Sequence, residues 1–120
     1  MKDKELKLLT HQIFQNLINH EFKMIRYFQN SLAKYLILLK ICEHYFAKDL
    51  ITQEQLILSI PNNISSRSNT LNILKNARER NFINKEKIKT DSRSIAIIPS
   101  DQLVKEFEQW IEKTHNTKYF

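Results

Sequence analysis

Four of the chain's five arginines, Arg67, Arg78, Arg80 and Arg93, fall within 27 residues. Arginine presents a flat fork of donors that fits phosphates and guanine edges. Residues of related use surround them. The hydroxyls of Ser65, Ser66, Ser68 and Thr70 suit phosphate contacts beside the free N–H groups of a helix start. Asn69 and Asn72 can pair with adenine. Lys75 and Asn76 come further along, and Lys85, Lys87 and Lys89 continue the basic run. These residue types support the gripping of a polyanion, not the making or breaking of bonds.

Charge follows the same segment. Residues 64–93 carry 8 basic and 3 acidic groups, a net of +5, whereas 1–63 net +2 and 94–120 net −1. Lysine, isoleucine and asparagine abound and glycine is absent, a bias that an AT-rich genome would write. That bias scatters lysine but removes arginine, so the arginine cluster is the better witness for a nucleic-acid surface.

Other chemistries find no support. Without glycine there is no phosphate-cradling loop, dinucleotide fingerprint or nucleophile elbow of the usual kind. His11, His20, His44 and His115 lack metal-ligand spacing. Cys42 sits alone in an apolar stripe, as a core thiol does, with a redox sensor as the alternative. Phe22, Tyr27, Phe28, Tyr35 and Tyr45 could line a ligand cavity or simply form core. No enzyme, cofactor or metal is therefore expected. One cysteine permits no internal disulfide, which fits a reducing cytoplasm. No apolar run approaches the roughly 18 residues of a membrane span, and the charged start does not resemble a secretory signal.

The 120 residues, 42% of them apolar, suit one folded domain over 1–120. Apolar spacing of three and four predicts a helix over 3–27 and a second over 31–47. A brief strand is expected within 49–52. Thr52 and Gln55 form a capping box that opens a helix to Ile60, stopped by Pro61. Ser65 or Ser66 caps a helix over 65–80, and Asn81 stands where a left-handed residue closes it. Residues 83–98 read as a two-stranded ribbon with a turn near 89–92. A last helix, within 100–115, carries Leu103, Val104, Phe107, Trp110 and Ile111 on one side.

From residue 31 the order is helix, short strand, helix, turn, helix and two-stranded wing, with a further helix before and after. This mostly α pattern with a small β wing, an α+β winged helix-turn-helix, resembles the MarR-type transcription regulators. Ser66 to Leu74 looks like the start of that family's recognition helix. Glu79-Arg80-Asn81-Phe82-Ile83 resembles its common E-K-G-L-I exit. Asp91-Ser92-Arg93 looks like the D-x-R of its wing tip, and Ile95 to Ser100 like the strand and cap that follow. The likeness is good over about 50–115 and architectural over 1–49; the glycine-free wing departs from it.

The resemblance implies a transcriptional regulator, acting as a repressor by occupying an operator. Its recognition helix 65–80 would lie in the major groove, with Arg67 forked onto guanine. Wing 83–98 would put Arg93 into the adjacent minor groove, steadied by Asp91, while Lys85, Lys87 and Lys89 bind phosphates. The flanking helices would pair two copies through Leu6, Leu9, Ile13 and Leu17 with Phe107, Trp110 and Ile111, leaving any small-molecule effector unspecified. Plainer readings stand beside these. Arg67 could be a solvated helix residue, Asp91 and Arg93 a surface pair worth about 0–1 kcal/mol, and the lysines a guard on a strand edge. The outer helices could pack on their own domain. The rival functions are a winged-helix interaction or assembly module without DNA binding, and a phage or plasmid accessory DNA-binding factor.

Overall fold

The computed structural model describes residues 2–18, 21–88 and 91–114, with the backbone alone at 91–93. Among the described residues six helices and three strands follow in the order α1 Asp3–Ile18, α2 Lys23–Phe28, α3 Leu32–Phe46, β1 Ile51–Thr52, α4 Gln53–Ser59, α5 Arg67–Glu79, β2 Ile83–Ile88, β3 Asp91–Pro99 and α6 Asp101–Thr114. The strands form one antiparallel sheet in the order β1-β3-β2. Ile51 faces Ile97 across one ladder and Lys85 faces Ile97 across the other, with an irregularity at Lys87 and Ile88. The short strand before α4 thus closes the wing's sheet on its far side.

The helix expected over 3–27 is divided. Phe22 leaves helical geometry (φ −100°, ψ 86°) and buries its ring, and α2 starts only after it. The break lets Phe22, Ile25 and Phe28 enter the core while α1 buries none of its residues. Arg26 donates to the carbonyl of Leu17, one of the acceptors that a helix end leaves without an internal partner. No proline or glycine marks this break, and both halves carry helical spacing, so periodicity alone reads them as one.

Local chemistry explains the other boundaries. Ser31 Oγ accepts from Lys34 N at 3.1 Å to open α3. Thr52 and Gln55 satisfy each other's backbone N–H groups at 3.1 and 2.9 Å, the capping box expected for α4. Ser100 Oγ accepts from Leu103 N at 3.2 Å at the head of α6. Two helix exits need a left-handed residue: Lys48 has φ 58° and Asn81 φ 62°. In a chain without glycine, lysine and asparagine take these places.

The core is built around α3, whose Ile37, Leu38, Ile41 and Cys42 are all buried. Ile25 and Phe28 close it from α2, Leu56 from α4, Ile73, Leu74 and Ala77 from α5, Ile83 and Ile97 from the sheet, and Leu103 from α6. Tyr27 sets its ring edgewise to Phe28 and Phe82, and its ring centre lies 4.5 Å from Lys34 Nζ and 4.7 Å from the Arg80 guanidinium. Four of the five aromatic residues considered for a ligand cavity contribute to the core: Phe22 and Phe28 are buried, and Tyr27 and Tyr35 pack against it, whereas the half-buried Tyr45 sets its ring edgewise to Phe46.

Candidate nucleic-acid interface

A helix presents two faces, and α5 divides them sharply. Thr70, Ile73, Leu74 and Ala77 point inward, while Arg67, Ser68, Asn69, Asn72, Lys75 and Asn76 are exposed. A shallow groove of about 550 Å³ runs along the outer face, lined by Ser66, Ser68, Asn69, Leu71, Asn72 and Lys75. The N-terminus is capped by Ser66, whose Oγ accepts from Asn69 N at 3.1 Å. Ser66 is an exposed residue, and its hydroxyl keeps its own hydrogen to donate.

Two expected phosphate contacts are corrected. Ser65 is 5% exposed and Thr70 is 1% exposed. Their hydroxyls lie 2.8 Å apart and hydrogen-bond to one another, and Asn69 Nδ2 donates to Ser65 Oγ at 3.0 Å. Burying a hydroxyl without a partner is costly, so the two side chains satisfy each other below the helix start. They brace the turn between α4 and α5 rather than face solvent.

Arg67 stands at the first position of α5 and is not free. Its Nη1 donates to Glu54 Oε2 at 2.9 Å and its Nη2 to Oε1 at 2.5 Å. Hydrogen bonding to Arg67 lowers the Glu54 pKa, and hydrogen bonding to Glu54 raises that of Arg67. Sequence inspection missed Glu54. It lies in the first turn of α4, and no local pattern reveals that two helix starts meet.

The ribbon carries further exposed basic residues. Along β2 only Ile83 is buried, and Asn84, Lys85, Glu86 and Lys87 are exposed. β2 packs beside α5. Desolvation, and then the nearby Arg78 charge, lowers the Lys85 pKa. Lys89 lies outside the described residues. Asp91 and Arg93 belong to β3, and their side chains too are outside what is described.

The proposed pairing surface is divided. Leu6, Ile13 and Leu17 are exposed and Leu9 half-buried, and Leu8, Phe14 and Ile18, absent from the expected set, are exposed beside them. Phe107 and Ile111 are half-buried on α6. Trp110 corrects the expectation: it is 4% exposed and packs edgewise on Tyr35 and against Phe107 of its own chain. A large ring of this kind fills the nearest apolar seam, which here lies between α3 and α6.

Among the described residues no cluster of His, Cys, Asp and Glu could hold a metal, and no helix is long and apolar enough to cross a membrane. Cys42 is buried, and desolvation pushes its thiol up to about 12.

No protein-family model matches the chain, and no curated protein matches it. Solved structures do. The transcriptional regulator Tm0710 from Thermotoga maritima superposes with a TM-score of 0.57 at 16% identity, over 98% of this chain and 77% of that one. A SlyA-like transcription regulator from Listeria monocytogenes gives 0.52 at 21% identity, over 98% of this chain and 73% of that one. At such identities the likeness is one of fold. The chain has the winged helix-turn-helix fold with flanking helices that the MarR resemblance implied.

Proposed function

We propose that this chain binds double-stranded DNA with sequence preference, as a homodimer, and regulates transcription by occupying an operator, hence as a repressor. The observation that carries this reading is the outer face of α5. It is polar apart from the half-buried Leu71, it bears Arg67, Asn69, Asn72, Lys75 and Asn76, and it belongs to a helix packed against a strand with exposed Lys85 and Lys87. A recognition helix needs such a face to meet base edges in the major groove, and a ribbon beside it meets the neighbouring backbone. Arg93, at the far end of the wing, is the residue suited to a narrow minor groove.

The dimer is inferred from α1. Its six large exposed apolar residues include Ile13 at 60% and Leu17 at 54% exposure. Single exposed leucines are ordinary, but a run of them on one helix marks an association surface. A second copy of α1, joined by the half-buried Phe107 and Ile111 of α6, would cover them. A two-fold arrangement sets two recognition helices roughly 34–36 Å apart, or a multiple of that.

Selection of bound duplexes from a random pool, followed by sizing of the complex, tests the proposal. The expected result is a pseudo-palindromic, AT-rich site carrying two chains. Recovery of no preferred sequence would defeat it.

A further inference from the structure

The Arg67–Glu54 pair is a puzzle if α5 meets DNA, because it places a carboxylate on the surface that approaches phosphates. A guanidinium has five N–H groups on three edges. The pair with Glu54 is end-on, through Nη1 and Nη2. It uses one hydrogen of each and leaves the edge formed by Nε–H and an outer Nη–H outside the pair. That edge has the spacing to fork onto two acceptors such as guanine O6 and N7. Glu54 therefore cancels the charge of Arg67 without consuming all its donors.

Charge and donors serve different ends on DNA. Attraction to phosphates is independent of sequence, whereas a forked hydrogen bond to a base edge depends on it. We infer that Glu54 is a specificity-determining residue: by neutralising and orienting Arg67 it weakens binding to arbitrary DNA more than binding to the preferred site. The inference rests on the DNA-binding reading above and adds a repulsive element to it, as discrimination between partners often requires. Both side chains are exposed, 59% each, so the pair is accessible to a duplex.

The test compares the parent with Glu54→Gln on the selected duplex and on a random one, each across a range of salt. In E54Q the freed Arg67 joins the phosphate contacts. Random-duplex binding should tighten on the order of fivefold near 0.1 M salt, and its log–log salt slope should steepen by about 0.9. Selected-duplex binding should gain less, so the ratio between the two falls. In the Arg67→Ala background the same change should leave the ratio alone, because only a diffuse repulsion is then removed. Matching thermal melting curves establish that both variants are folded. An unchanged ratio and slope in E54Q would overturn the role of Glu54, as would weaker binding to both duplexes. If the parent discriminates between the duplexes, that failure leaves the DNA reading intact; if the parent binds neither, both fall together.

Discussion

Glu106 of α6 caps a helix to which it does not belong: its Oε2 accepts the backbone N–H of Ile25, in the first turn of α2, at 2.8 Å. The residue at the cap position of α2 is Phe22, which has no side-chain acceptor. The short helix thus obtains its cap from the far end of the chain, and Lys113 of α6 adds an ion pair to Glu21. Glu106→Ala should lower unfolding stability by about 1 kcal/mol, while Glu106→Gln, which keeps an acceptor, should lose less. Urea unfolding midpoints check this, and equal midpoints for parent and E106A would refute the capping role.

Ser66 separates stability from binding. Ser66→Ala removes the α5 cap and should cost about 1 kcal/mol. Ser66→Asp restores an acceptor and places a negative charge at a helix N-terminus, so stability should be kept. The same carboxylate would stand where a phosphate is expected. S66D should therefore melt like the parent yet bind duplexes more weakly, as measured by fluorescence anisotropy.

Much of this architecture could be read from residue types. Caps, turn residues and apolar spacing located α3 to α6 and the ribbon closely, because each boundary has a local chemical cause. The break at Phe22 has no such cause; it follows from where the core lies. The inward turn of Ser65 and Thr70 escaped notice for a similar reason. At a helix start, serine and threonine suit caps and phosphate contacts equally, and only packing decides between them. Trp110 fits the outer stripe of α6 by spacing, but its ring is taken by Tyr35 and Phe107. Glu54 was invisible because it meets Arg67 through space, across 13 positions of sequence.

The two left-handed residues differ in suitability. Asparagine tolerates positive φ better than lysine does. Lys48→Gly should relieve the backbone cost at φ 58° and raise stability by about 0.5–1 kcal/mol. Asn81→Ala should lower it by about 1 kcal/mol. Thermal denaturation of the two variants against the parent gives both signs.

Cys42 predicts an alkaline limit. Its buried thiol is pushed up to about 12, so the native state keeps a proton that the unfolded chain releases near the ordinary thiol value of 9.0. A group whose folded pKa is raised contributes stability below the unfolded pKa and loses it as pH climbs toward the folded one. Stability should fall between about pH 9 and 12 through this group, and Cys42→Ala should show a shallower decline. At pH 8 alkylation should proceed no faster than unfolding exposes the thiol. Rapid labelling of the native protein would contradict the burial.

The most direct test of the central claim, that α5 and the ribbon grip one duplex together, is the salt dependence of binding to the selected site in the parent and in the double variant Lys85→Ala/Lys87→Ala. Affinity should fall linearly on a log–log plot between about 50 and 200 mM salt, and the double variant should be shallower by about 1.8 in slope on selected and random DNA alike. An affinity indifferent to salt, or a double variant with the parent's slope, would contradict it.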